Sequence, residues 1–239
     1  MKYKIDRLEI DLPSGHTLPQ YQKEYRLYDR FLPHLAKYLS GDVIDIGANV
    51  GATMAAMACA NSKLEFLCVE SSPATYVALQ QNKKIVEEEL SVKVKSVRAE
   101  IGVGKTTMDA LIAEFDYKPD LIKVDVDGVD YDVLNSFNFE QTPMLFFEAD
   151  YRNIDQLKYY VDLVNHLVSK DYQFFYLFDN FGEFVCKFNI QMVDVITELF
   201  SYIWRMKTGH SHTTIYYFDI LAVTDKDFDR AEQAIRDYL

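Results

Sequence analysis

The 239-residue sequence predicts an α/β fold: a doubly wound, mostly parallel sheet of about seven strands with an antiparallel strand at the C-terminal end. Three observations carry this expectation. Short apolar runs at 43–46, 66–69, 121–126 and 144–148 alternate with helical patterns, the order that builds parallel sheets. The run at 92–97 alternates apolar residues with lysines, as an edge strand does. After residue 150 the pattern changes to two adjacent strands, 173–178 and 184–188, flanking Asp179-Asn180-Phe181-Gly182. A helix at 191–206 and a long strand at 214–223 follow.

The first forty residues place Tyr25, Tyr28, Leu32, Leu35 and Leu39 at helical spacing, which predicts an N-terminal helical extension over 1–40. Its aromatic residues either pack on the core or line a substrate mouth. Ser72 followed by Pro73 marks the start of the helix after the second strand. No repeat or low-complexity linker divides the chain, and its length suits one domain.

Composition excludes some functions. A formal net charge of −12 opposes wrapping of a polyphosphate, so no nucleic-acid partner is expected. Cys59, Cys68 and Cys186 cannot all pair, and the first two sit in apolar or small-residue segments that read as buried thiols. With neither a basic-then-apolar leader nor a membrane-length apolar run, a cytoplasmic location is expected.

The segment Val43-Ile44-Asp45-Ile46-Gly47-Ala48-Asn49-Val50-Gly51 is a buried strand ending in a tight turn before a small-residue helix. Ligands of open α/β sheets bind beyond the carboxyl ends of such strands. Asn49 tolerates left-handed backbone. Glu70 ends the second strand about twenty residues on, where a carboxylate accepts ribose hydroxyls. That role serves NAD and S-adenosylmethionine alike. Asp45, two residues ahead of Gly47, is unfavourable beside a pyrophosphate and suits a cationic ligand. A second constellation, Asp120-Leu121-Ile122-Lys123-Val124-Asp125-Val126-Asp127-Gly128-Val129-Asp130, sets charges into a buried strand and its end. They are costly there unless paired or used. Strand alternation puts Lys123, Asp125 and Asp127 on one face, and at least one of the acids is expected to fix the following turn.

Gly102-Val103-Gly104-Lys105-Thr106-Thr107 imitates the end of a phosphate-binding loop, but Ala99 replaces the first glycine and Glu100 would oppose the phosphates. His210 and His212 are candidates for a base or metal ligand, or plain loop residues.

Together these motifs resemble the FkbM-type family of S-adenosylmethionine-dependent methyltransferases. The resemblance runs from Val43 through Val69-Glu70-Ser71-Ser72-Pro73, Leu79-Gln80-Gln81-Asn82 and Thr107-Met108-Asp109-Ala110-Leu111 to Asp130, closing at Val133-Leu134. The family usually carries glutamate at the positions of Asp127 and Asp130. The resemblance implies a Rossmann-like, class I methyltransferase sheet, with 42–150 as the cofactor-binding half and 151–239 completing the sheet and the substrate side. It also implies O-methylation of a sugar, polysaccharide or polyketide hydroxyl, so the expected partner is a small-molecule or glycan acceptor. The cofactor-binding set expected on this reading is Asp45, Gly47, Ala48, Asn49, Gly51, Glu70, Ser71, Glu100 and Asp125. Asp125 or Asp127 is the expected base, with Lys123 orienting the site. Asp125 with Glu148 or Asp150 offers the oxygen donors that magnesium prefers, although no residue requires a metal. A non-catalytic adenosyl-ligand-binding protein and an NAD-dependent oxidoreductase stand as alternatives.

Overall fold

From Asp42 onward, short β-branched and aliphatic runs alternate with capped helices, and the chain winds accordingly. The computed structural model describes residues 1–209 and 214–239. An antiparallel hairpin, β1 (Lys2–Ile5) and β2 (Leu8–Asp11), precedes two short helices, α1 (Leu18–Glu24) and α2 (Phe31–Ala36). The alternating region comprises β3 (Asp42–Ile46), α3 (Ala52–Ala60), β4 (Phe66–Val69), α4 (Pro73–Leu90), β5 (Val94–Val97) and α5 (Met108–Phe115). It continues through β6 (Pro119–Val124), α6 (Asp130–Leu134), β7 (Met144–Ala149) and α7 (Ile154–Ser169). The hairpin β8 (Tyr172–Asp179) and β9 (Phe184–Asn189), then α8 (Val193–Thr208), β10 (Phe218–Thr224) and α9 (Phe228–Tyr238), finish the chain.

The main sheet has eight strands in the order β5-β4-β3-β6-β7-β10-β8-β9. Neighbours among β3 to β7 pair in parallel, with the lysine-bearing β5 at the edge. The expected antiparallel strand, β10, does not close the sheet. It inserts between β7 and β8 and runs antiparallel to both, while β9 forms the far edge as a second reversed strand.

Strand alternation divides the core into two layers. Ile44, Ile46, Ile122, Val124, Leu145 and Phe147 pack toward α5, α6, α7 and α8. Val43, Leu121, Met144, Leu221 and Val223 pack on the opposite face, toward α2, α3 and α9. Asp45, Lys123, Glu148 and Asp219 continue this second face toward the sheet end where the ligand crevice is expected.

The helical extension expected over 1–40 is only partly helical. Leu8 and Ile10 bury alternate positions of a strand, so the first eleven residues form the hairpin and cover α3. The chain then leaves helix at Tyr25, whose backbone is extended, and Asp29 adopts a left-handed conformation. Leu32 and Leu35 lie in α2, whereas Tyr25 and Tyr28 belong to the connection before it.

Two local devices hold the turn after β3. Fully buried Asn82 on α4 donates to the carbonyls of Val50 and Asp11, each at 2.8 Å, and accepts from Asp11 N–H. Gly47 lies against the main chain after β6: a Cβ there would stand 1.8 Å from the Asp125 carbonyl oxygen, with φ at +76°. Gly47→Ala is therefore expected to cost about 3 kcal/mol or more, combining backbone strain with a collision that cannot relax. Gly15→Ala, with a similar φ but open space around it, should cost only about 1 kcal/mol. Urea unfolding of the two variants checks this; equal losses would contradict it.

Candidate active site

At the carboxyl ends of β3 and β6, register sets Asp45 directly beside Lys123. The Lys123 ammonium stands 3.1 Å from Asp45 Oδ1 and 3.2 Å from Asp125 Oδ2. Asp45 and Lys123 are 2% and 5% exposed, whereas the Asp125 side chain is 49% exposed. Burial works to lower the pKa of Lys123, but the carboxylates of Asp125 and Asp45 outweigh it and hold the ammonium charged. Burial raises Asp45, and Lys123 draws it part of the way back. Neither Asp45 oxygen accepts a directed hydrogen bond, so the ammonium is its one ionic partner among the described residues.

The turn beyond β3 is organised around Glu70. Asn49, at φ +51°, donates its N–H to Glu70 Oε2 at 2.9 Å, and Ser72 N–H donates to Oε1 at 2.7 Å. Each oxygen retains a lone pair for a further donor. Glu70, Ser71, Glu100, Gly47 and Asn49 line a lobe of about 410 Å³. Lys105 enters its rim and pairs with Glu100 at 2.6 Å, while Gly102 N–H donates to Thr106, so this loop closes on itself.

A second lobe, of about 340 Å³, lies on the α2 side of the sheet end. Its wall includes Asp29, Glu148, Asp150, Asp219, Tyr28 and Tyr217. Asp219 and Glu148 face each other in register on β10 and β7. Like charges so placed repel. Burial first, then neighbouring Asp125, raises the pKa of both carboxyls above the usual carboxylate range. Asn49, Asp125 and Asp127 line both lobes, so the two meet at these residues.

The expected site residues separate by position. Asp125 and Asp127 stand at the junction, although β6 ends at Val124 and Asp127 reaches it through left-handed backbone (φ +55°) rather than strand alternation. Lys123 borders the acidic lobe. Asp45 lies beneath it and contacts it through Lys123. Ala48 borders a smaller recess over the turn, together with His16 and Thr17. Gly51 lines none of these cavities and instead starts α3. Asp130 is the acid that fixes the following turn: fully buried, it accepts from Val126 and Glu148 N–H groups, and burial raises its pKa far above normal. His210 and His212 lie outside the described residues. Among the described residues, no group of three or more His, Cys, Asp or Glu side chains is arranged to hold a metal ion. No helix among them is long and apolar enough to cross a membrane.

Three residues of the acidic lobe escaped sequence reasoning, Asp29, Tyr217 and Asp219, whereas Tyr28 is one of the N-terminal aromatics for which a substrate mouth was one of two expected places. Asp219 had a signal, a carboxylate on the face otherwise bearing Leu221 and Val223. His16 was also missed. It accepts from Leu18 N–H at 3.2 Å, and burial lowers its pKa against a bond to Asn49.

Sheet order and site position define a class I methyltransferase fold. Residues 58–176 match the Methyltransferase FkbM domain family. Among solved structures, the METTL16 MTase domain aligns over 91% of this chain and 73% of its own at 13% identity, with a TM-score of 0.52. The plantazolicin methyltransferase BpumL in complex with SAH aligns over 87% and 88% at 11% identity and TM-score 0.49. Precorrin-6y C5,15-methyltransferase from Geobacter metallireducens GS-15 aligns over 94% of both chains at 12% identity and TM-score 0.45. The likeness to the METTL16 MTase domain is one of fold alone. Among curated proteins none matches.

Lys123→Met should destabilise the protein by about 3–5 kcal/mol, because it strands the buried Asp45 carboxylate. Adding Asp45→Asn should recover at least half of that loss in urea unfolding; no recovery would show that the pair is not the cause. The acidic lobe sets a pH dependence. With folded-state pKa values of Glu148 and Asp219 raised, the folded chain binds more protons than the unfolded one, so stability falls as pH rises. Tm should decline between about pH 5 and 8, and Glu148→Gln with Asp219→Asn should flatten the decline. An equally steep profile in the double variant would contradict this origin.

Proposed function

We propose that the chain is an S-adenosylmethionine-dependent O-methyltransferase acting on a hydroxyl of a sugar, polysaccharide or related natural product. One observation carries the reading most: the two lobes meet at Asp125, one holding the anchored Glu70 carboxylate and the other lined by acids. The residues fit the cofactor's chemistry. Glu70 keeps acceptor capacity for a ribose diol, and its two backbone donors hold its orientation before any ligand arrives. Asp125 and the acidic wall suit a ligand carrying positive charge. When bound, S-adenosylmethionine supplies a methyl group already activated by its sulfonium.

The protein's part is then alignment and proton removal. Effective alignment of reactants can account for a large share of a rate enhancement. A hydroxyl is a weak nucleophile, so a carboxylate at the junction must accept its proton as it attacks. Asp125 is our assignment, because it lines both lobes and the Lys123 ammonium fixes one of its oxygens. Asp127 is the neighbouring alternative. Lys123 is a positioning residue, acting through Asp125 and Asp45.

Methyl-labelled cofactor offered with hydroxylated acceptors tests the activity. Asp125→Asn should reduce turnover by at least about 100-fold, the usual scale for removing a general base. It should weaken S-adenosylhomocysteine far less than it slows turnover, by less than about tenfold, since the ribose contact lies elsewhere and this ligand lacks the sulfonium charge. Undiminished turnover in that variant would remove Asp125 from the mechanism.

A further inference from the structure

Beside the acidic lobe opens a recess of about 310 Å³ with walls made largely of aromatic rings. Tyr21, Tyr25 and Tyr28 come from the N-terminal segment, Phe181 from the β8–β9 turn, and Tyr216 and Tyr217 from the approach to β10. The rings of Tyr25 and Phe181 are 4.2 Å apart, so the N-terminal and β8–β9 sides of the wall touch, and those of Tyr21 and Tyr28 pack within the N-terminal side at 5.1 Å. Tyr21 and Tyr216 are nevertheless 38% and 49% exposed. A contiguous aromatic patch left open next to a cavity is a mark of ligand contact. Asn180 braces it, with Oδ1 accepting from Tyr216 N–H and Nδ2 donating to the Thr214 carbonyl.

The recess is continuous with the acidic lobe, because Tyr28 and Tyr217 line both. Carboxyl groups crowd that shared edge. Asp29, whose pKa burial raises only to about 6, carries its charge at neutral pH. A cation seated there favours ionisation of Glu148 and Asp219 as well. Asp29 follows Tyr28, Asp219 lies two residues beyond Tyr217, and Glu148 faces Asp219 across the strands. Of the nearby cations, Lys123 pairs with Asp45 and Asp125, Lys207 pairs with Asp150, and Arg30 acts on Asp29, while Glu148 and Asp219 have no ion pair among the described residues.

We propose that this recess is the acceptor subsite and that it takes a ring-bearing acceptor with a protonated amine, of the amino-sugar class. The ring lies against the outer tyrosines, and the ammonium sits where Tyr28 and Tyr217 meet the carboxylates. Aromatic faces attract cations, and low-dielectric walls of one charge sign focus that attraction. An acceptor bearing phosphate or uronic acid meets repulsion at the same edge. The word acceptor rests on the methyl-transfer reading; the binding of a cationic ring does not.

The test uses the full chain and two probes, a glucosamine tetramer and its N-acetylated counterpart, which share the sugar ring and differ in the amine's charge. S-adenosylhomocysteine is titrated first by calorimetry, then each probe into the resulting protein. The amine probe should bind at least tenfold more tightly than the acetylated one. Tyr25→Ala with Tyr216→Ala, which leaves net charge unchanged, should weaken it at least fivefold without altering the first titration. Equal affinity for the two probes, no binding of the amine probe, or unchanged affinity in the tyrosine variant overturns the subsite. If S-adenosylhomocysteine gives no heat but the amine preference holds, the cofactor reading fails and the subsite stands.

Discussion

The buried ammonium of Lys123, held between Asp45 and Asp125, is the constraint on which the site depends. It ties the strand before the glycine turn to the chain beyond β6. Gly47 makes the same junction through the main chain, where only a hydrogen fits against the Asp125 carbonyl. Breaking such a pair from one side leaves an uncompensated buried charge, which costs far more than the intact pair contributes. The junction is thus over-determined, by charge and by backbone contact, and Asp125 emerges from it half open to solvent with one oxygen fixed.

From that junction the sheet topology distributes two different environments. Toward β4, the Glu70 carboxylate is oriented by Asn49 and Ser72 N–H groups and sits in a polar lobe. Toward β7, the insertion of β10 inside the sheet brings Asp219 opposite Glu148. A C-terminal strand added at the edge would leave Glu148 without that neighbour. The repulsion this creates is retained in an otherwise well-packed core, in the manner of strain kept at working sites.

Much of the segment from Asp42 to Asp150 was legible in the sequence, because its signals are local. Ser72 caps α4 with Pro73 at its first position, Asn49 is left-handed, and the lysine-bearing third strand of the series lies at the edge. Asp130 was readable as a turn-fixing acid because a buried charge demands partners, and it finds two backbone N–H groups. The remainder depends on long-range placement. Helical spacing between Tyr25 and Leu39 crosses an extended residue and a left-handed Asp29, which periodicity does not register. The β10 insertion decides which carboxylate faces Glu148, and no local pattern encodes strand order. Asp127 reaches the junction by a backbone conformation that alternation would not have chosen.

The most direct measurement is a crystal structure of the chain with S-adenosylhomocysteine. The account requires the ribose hydroxyls on Glu70, the amino-acid end over the turn from Gly47 to Gly51, and the sulfur facing the junction at Asp125. A ligand bound away from Glu70, or a sulfur pointing away from Asp125 and the acidic lobe, would contradict it.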